Sequence, residues 1–198
     1  MTRTLTLILA AAALAACSTP KDHFYTLIGD LPSAAPTTGG AKVGPSVVIS
    51  SVSLPEAVDR AELVLRKGPN SVAVMDTRRW AESLKSAIPR VIANDLSPLL
   101  DGAAVATGDD NVGQNAKYQV RLDILRFDTM LGGTEVIDAA WVIHPASGSP
   151  TDVAGKVSLR VAARGGDYED AVAAHSQALA QLSSEIAKKI RDLEKGGN

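Results

Sequence analysis

The sequence is poor in the residues that build disulfide-held or metal-held scaffolds. It has one cysteine and three histidines among 198 residues, and aromatic residues make up only 4%. One cysteine can neither close an intrachain disulfide nor supply a multi-thiolate metal site. Charge is nearly balanced, with 20 Lys+Arg against 22 Asp+Glu. Because a dedicated nucleic-acid-binding protein normally carries a basic excess, the composition argues against that class and for one globular domain.

Recognisable catalytic motifs are also missing from the sequence. It contains no Gly-x-Ser-x-Gly nucleophile motif and no glycine-rich phosphate loop. His23, His144 and His175 do not lie at metal-ligand spacing, so each is interpreted as a surface or packing residue. We therefore expect no catalytic residues, no metal and no cofactor, and the protein is predicted not to be an enzyme. An envelope hydrolase is the weakest alternative, because no nucleophile–base pair is visible.

The most informative segment is a short apolar run at the N-terminus. After Arg3, residues 5–16 are apolar apart from Thr6, a stretch shorter than the roughly 20 residues that a bilayer-spanning helix needs. It ends in Leu14-Ala15-Ala16-Cys17, the lipobox pattern of bacterial lipoproteins. The sequence predicts a signal peptide at 1–16 and a Cys17 that carries diacylglycerol and an N-acyl chain. The alternative is a buried core cysteine after an ordinary signal peptide.

Lipidation predicts where the protein resides. Two or three acyl chains hold a protein on a bilayer effectively permanently, whereas one chain is marginal. Ser18 follows the cysteine, where an Asp usually retains enteric lipoproteins in the inner membrane. We therefore expect the inner leaflet of the outer membrane, facing the periplasm. Residues 17–22 are the predicted lipidated tether, and 23–195 the predicted folded domain.

Hydrophobic patterning of the domain predicts an α+β fold. Strands are expected at 23–28 and 47–54, a hairpin at 62–75, and a flexible loop at 29–45, which is rich in Pro, Gly, Ser and Thr. A helix is expected to begin at Asp76 or Thr77, to include Trp80, and to kink or divide at Pro89. Alternation over 118–161 predicts a three-stranded antiparallel meander, with a β-bulge near Ile124 and Leu125.

A second helix is expected after Asp167, which would cap it. The predicted architecture is a two-layer sandwich, a mainly antiparallel sheet with both helices packed on one face.

Three motifs resemble those of one known family. Phe24-Tyr25-Thr26-Leu27 is similar to its opening strand. The segment 52–66, with Leu54-Pro55 and the Asp59-Arg60 turn, is similar to its central signature. Arg79-Trp80-Ala81-Glu82-Ser83-Leu84 is similar to its helix start. The family is that of the PqiC-like (YmbA-like) ABC-type transport auxiliary lipoproteins.

The resemblance implies a non-enzymatic, outer-membrane-anchored auxiliary component of an MCE/ABC-type (Pqi-like) lipid transport system that maintains envelope integrity. Its expected partners are an MCE-domain protein, inner-membrane permease or ABC components, outer-membrane lipid and further copies of itself. The matched positions are Tyr25, Leu54, Pro55, Asp59, Arg60, Arg79 and Trp80. We interpret them as structural, with a local Asp59–Arg60 ion pair in the turn and Trp80 as a core anchor. The alternative function is a periplasmic carrier that holds a lipid or small ligand between sheet and helices.

Overall fold

The computed structural model describes residues 21–31, 44–108, 115–146 and 151–196. Cys17, the signal peptide and most of the predicted loop at 29–45 lie outside these ranges. The elements are β1 (His23–Tyr25), β2 (Val47–Ser53), β3 (Glu62–Gly68), β4 (Ser71–Trp80), α1 (Leu84–Leu99), β5 (Val105–Thr107), β6 (Tyr118–Asp128), β7 (Thr134–Pro145), β8 (Val153–Ala162) and α2 (Tyr168–Gly196).

The larger sheet has five strands in the order β5-β2-β6-β7-β8. Strands β6, β7 and β8 form the predicted antiparallel meander, and the register shift between Ile124 and Arg126 confirms the predicted bulge. Strand β2 runs parallel to both β5 and β6. Buried and exposed residues alternate along β6, as expected of a sheet with one packed face and one wet face.

Both helices pack on the buried face of this sheet, as predicted. Helix α1 lies against β2 and β5, α2 against β7 and β8, and the two helices against each other. Asp167 caps α2, since its Oδ1 accepts a hydrogen bond of 2.8 Å from the Asp170 N–H. The core between the layers consists of fully buried aliphatic side chains from both sides, among them Ile88, Ile92, Val120, Leu122, Ile137, Leu182 and Ile186.

A second sheet of three strands has the order β1-β4-β3. Strands β3 and β4 form the predicted antiparallel hairpin, whereas β1 pairs parallel to β4. The α+β class is confirmed. The strands divide between two mixed sheets, a division that the prediction of a single, mainly antiparallel sheet did not include. Parallel partners come from distant parts of the chain, and strand alternation alone does not reveal them.

The helix predicted to begin at Asp76 or Thr77 begins later. Strand β4 continues to Trp80, and α1 starts at Leu84 with Ser83 as its N-cap, whose Oγ accepts from the Ser86 N–H at 3.2 Å. Trp80 stays in the strand because it pairs with β1 and because its N–H donates to the Ala61 carbonyl at 2.7 Å. Helix α1 also runs through Pro89 as one element, so the alternative of two abutting helices is wrong.

Candidate functional site

Three of the family-motif residues meet at one corner of the smaller sheet. Tyr25 lies beside Trp80 and Phe24 beside Arg79 in the parallel pairing of β1 with β4. The Ala81 N–H donates to the Tyr25 carbonyl at 2.8 Å. Trp80 is 7% exposed and lies in the core, edge-on to the Phe127 ring. These contacts join the first strand of the domain to the start of α1.

The remaining motif residues form the turn that leads into this corner. The N–H groups of Val58 and Asp59 both donate to the Pro55 carbonyl, at 3.0 and 3.2 Å. Asp59 forms its ion pair with Lys85 of α1 at 2.6 Å, so the predicted local pair with Arg60 is wrong. The Asp59 carboxylate is directed out of the turn towards Lys85, the second residue of α1. The turn therefore connects to the helix rather than only to itself.

The segment that follows β1, residues 26–31, lies across both helices, and we call it the strap. Leu27 is fully buried, and its carbonyl accepts from Arg90 Nη2 of α1 at 3.1 Å. The Ile28 N–H donates to Ser176 Oγ of α2 at 3.3 Å. The Leu31 N–H donates to Asp95 Oδ1 of α1 at 3.3 Å. The strap thus links the two helices through backbone groups.

Asp95 is the buried charge beneath the strap. Its side chain is fully buried, and its Oδ2 has no hydrogen-bond partner. Burial raises the pKa of Asp95 to about 6, partly opposed by hydrogen bonds from the Leu31 and Asp30 N–H groups. A Cβ on Gly29 would lie 3.1 Å from Asp95 Oδ1, so the strap approaches the carboxyl closely. Asp95 therefore binds the strap through Oδ1, while its Oδ2 is left without a hydrogen bond.

A second buried polar cluster lies where α2 crosses the turn between β6 and β7. His175 and Glu135 are both fully buried, and His175 Nε2 lies 2.9 Å from Glu135 Oε2 and 2.9 Å from Thr129 Oγ1. The Met130 N–H donates to both Glu135 oxygens, at 3.0 and 3.2 Å. The His175 ring stacks on Phe127 with centroids 4.0 Å apart. Because both side chains are fully enclosed, the pair packs within the core.

The sequence placed His175 on the apolar stripe of the last helix but gave it no partner. The position of Glu135 in the sequence, by contrast, indicates that it is buried. It lies two residues before Ile137, in phase with the buried positions Ile137, Ala139 and Trp141 of β7. A carboxylate in phase with core positions predicts a buried partner, since an unpaired buried charge is strongly unfavourable.

The helix-free face of the larger sheet is polar. Asp128 on this face pairs with Arg66 of β3 at 2.6 Å and also with Arg126. Burial alone would raise the pKa of Asp128, but the two guanidinium groups outweigh it and hold that pKa below its usual value. A shallow depression of about 310 Å³ lies elsewhere on the face and is lined by Ser50, Gln119, Arg121, Val142, His144 and Asp152. His144 pairs with Asp152 at its rim.

Neither a metal-binding cluster nor a membrane-spanning helix occurs within the four described ranges. Those residues contain no group of three or more His, Cys, Asp or Glu side chains that could hold a metal ion. Neither helix in them has the length and apolar character that crossing a bilayer requires.

The fold is shared with solved structures at low sequence identity. One crystal structure of an uncharacterized protein matches with TM-score 0.69 and 17% identity, covering 86% of this chain and 99% of that one. The protein XCC0632 from Xanthomonas campestris matches with TM-score 0.62 and 15% identity over 88% and 98%. A PelC dodecamer from Paraburkholderia phytofirmans reaches only 0.42 with 18% identity over 75% and 91%, too low to bear on assembly. Comparison with curated proteins found no matching relative.

The sequence itself assigns the family. Residues 25–187 match the ABC-type transport auxiliary lipoprotein component family, a span that starts at Tyr25 and ends in α2. The chain belongs to this family, and the resemblance drawn from its motifs is confirmed. Its role is accordingly that of an auxiliary lipoprotein associated with ABC-type transport.

Proposed function

We propose that the protein is an adaptor lipoprotein of an MCE/ABC-type (Pqi-like) lipid transport system, anchored through Cys17 in the inner leaflet of the outer membrane. In this proposal residues 1–16 are removed and 17–22 form the tether of the domain at 23–195. Its partners are an MCE-domain protein and inner-membrane permease or ABC components, and further copies of the chain assemble with it. The protein acts by binding rather than by catalysis.

The match of residues 25–187 to the transport auxiliary family carries this proposal. The lipobox at Leu14 to Cys17 supports the anchor independently, because its residues lie outside the span that matches the family. The geometry is consistent with a binding role, since the one His–Glu pair in the described core is fully buried. The carrier alternative requires an acyl chain between sheet and helices, where side chains of both layers already pack at 0–8% exposure.

Acylation is tested on the protein produced in its own envelope. Mass spectrometry of the N-terminal peptide is expected to show Cys17 as its first residue, carrying diacylglycerol and an N-acyl chain. A Cys17→Ala variant is expected to lose this mass and retain the uncleaved leader, because the thiol is the acceptor of the diacylglyceryl group. An unmodified thiol on a processed wild-type chain contradicts the anchor.

Partnership is tested by affinity purification from detergent-solubilised envelopes. The tagged wild-type protein is expected to recover an MCE-domain protein together with a permease or ABC component. Recovery of neither class, from envelopes in which both are present, contradicts the proposal. Native mass spectrometry of the same sample tests the carrier alternative, which requires a lipid of defined mass bound to the domain.

A further inference from the structure

Two apolar side chains are left exposed in the segment closest to the tether. Phe24 is 62% exposed and Ile28 is 57% exposed, the highest values among the large apolar side chains in the described ranges. Leu27, between them, is fully buried. Its burial and the strap's hydrogen bonds to both helices show that this segment is packed. The exposure of Phe24 and Ile28 is therefore a property of the fold and not of a detached chain end.

The pairing of β1 explains why Phe24 faces outward. Successive side chains of a strand alternate between faces, and Tyr25 packs towards the core, 5.8 Å from the Tyr168 ring. Phe24 consequently lies on the opposite face, beside Arg79. Arg79 pairs with Glu62 at 3.4 Å, so its charge is already matched there.

Chain length limits how far these side chains lie from the anchor. Six residue steps separate Cys17 from His23, and a chain extends at most about 3.6 Å per residue. The Cα atoms of Cys17 and His23 are thus at most about 22 Å apart in any conformation. Acyl chains on Cys17 would hold that residue at the headgroup level. The tether therefore keeps Phe24 and Ile28, one and five positions after His23, near the bilayer.

The nearby charges favour neither attraction to nor repulsion from an anionic surface. Lys21 is offset in number by Asp22, Arg79 by Glu62, and Arg78, which lies opposite His23 in the pairing of β1 with β4, by Asp30 of the strap. Electrostatic attraction to headgroups is then small, and burial of apolar surface is the dominant favourable contribution. Any association of this face with lipid should accordingly persist at high salt.

We propose that Phe24 and Ile28 insert into the bilayer interface beside the acyl chains of Cys17 and so fix the orientation of the domain on the membrane. The inference rests on the proposed acylation of Cys17. The acyl chains supply the attachment, whereas these two side chains decide which face of the domain meets the lipid. The strap transmits that orientation to both helices, because it bonds to Arg90 and Asp95 of α1 and to Ser176 of α2.

Spin labels on introduced cysteines test the inference in the acylated protein. Cys17 is the single cysteine and its sulfur becomes a thioether, so Phe24→Cys and Ile28→Cys each provide one reactive thiol. Val74→Cys and Leu125→Cys, at exposed apolar positions on other elements, are matched controls. Acyl mass on Cys17 is verified first, and each protein is reconstituted into phosphatidylethanolamine–phosphatidylglycerol vesicles.

Labels at positions 24 and 28 are expected to collide readily with oxygen and to lose collisions with a water-soluble nickel chelate, at low and high salt. Control labels are expected to show the reverse. Aqueous behaviour at 24 and 28 in protein with intact acyl mass overturns this inference and leaves the anchor standing. Shielding from both reagents also overturns it, because a protein surface then covers the patch. Absence of acyl mass overturns the anchor and this inference together.

A second readout avoids dependence on the cysteine variants. Phe24→Trp keeps an aromatic ring at the site. The native Trp80 and Trp141 are buried in the core, so brominated lipids should quench their fluorescence little. Brominated lipids are expected to quench Phe24→Trp fluorescence and to leave a Val74→Trp control unquenched. Equal quenching of the two variants contradicts the inference.

Discussion

At the scale of single residues, two buried acidic side chains contribute to stability in different ways because their hydrogen-bond partners differ. Asp95 lies beneath the strap with one oxygen unpartnered, whereas Glu135 is paired with His175 and the Met130 N–H. Burial with incomplete hydrogen bonding favours the neutral form of the Asp95 carboxyl group. The two residues therefore respond differently to substitution.

Asp95→Asn is expected to flatten the pH dependence of stability. The pKa of Asp95 is raised from 3.8 to about 6, so its favourable contribution is complete below about pH 4 and is lost as the pH rises through about 6. Asn keeps an acceptor for the Leu31 N–H without a charge. From pH 4 to pH 7.5, the free energy of unfolding of the variant should rise by about 1–3 kcal/mol relative to that of the wild type. Urea unfolding at both pH values measures this, with exposed Asp192→Asn as the control. A stability difference between variant and wild type that is the same at both pH values contradicts the prediction.

Glu135→Ala is expected to destabilise the domain by about 2–4 kcal/mol. It leaves His175 Nε2 without its carboxylate and the Met130 N–H without an acceptor, and removing one member of a buried pair is costly. The midpoint of urea unfolding reports the change. Glu185→Ala, exposed on α2, is the matched control and should change stability by less than about 0.5 kcal/mol. Equal effects of the two substitutions would show that the cluster does not stabilise the fold.

At the scale of elements, local patterns predicted the meander, its bulge and the capped last helix. Each depends on neighbouring residues, such as the alternation along β6 and the Asp167 cap. The start of α1 was missed because Trp80, Leu84 and Ile88 recur at helical spacing although Trp80 ends a strand. Its pairing with Tyr25, 55 positions away, decides that residue's conformation. The parallel pairing of β2 with β6 was missed for the same reason.

Gly155→Ala is expected to weaken the pairing of β7 with β8 and to cost about 1–3 kcal/mol. Gly155 lies opposite Trp141 across the two strands, and a Cβ there would be 2.0 Å from the indole Cζ2 atom. The ring is rigid and packed in the core, so the strand must move instead. Gly166→Ala is the control, since a Cβ at that position meets nothing within 4 Å. Equal midpoints of thermal unfolding for the two variants would contradict the explanation by close approach of Gly155 to Trp141.

At the scale of the whole molecule, β1 and the strap connect the first described residues of the chain to both helices. Tyr25 pairs with the strand that leads into α1, and the strap bonds to both helices. The sequence motifs identified the family, and the match over residues 25–187 confirms it. They did not reveal the strap's buried contacts with Asp95 and Ser176, because these join residues more than 60 positions apart.

Ser18→Asp is expected to move the protein from the outer to the inner membrane. An Asp after the acylated cysteine usually retains enteric lipoproteins in the inner membrane, and the substitution leaves the domain unchanged. Density fractionation of envelopes, with Thr19→Asp as the control, measures the shift. Identical distributions of wild type and Ser18→Asp would contradict the proposed sorting.

In-cell crosslinking tests most directly whether this lipoprotein docks a transport complex. A photo-crosslinking residue is placed in intact cells at exposed positions on separate surfaces: Asn70 in the β3–β4 turn, Leu125 on the helix-free face and Lys188 on α2. At least one position is expected to yield an adduct with an MCE-domain protein or an ABC-transport component. Adducts at every position with unrelated envelope proteins alone, from protein that carries its acyl chains, would contradict the account.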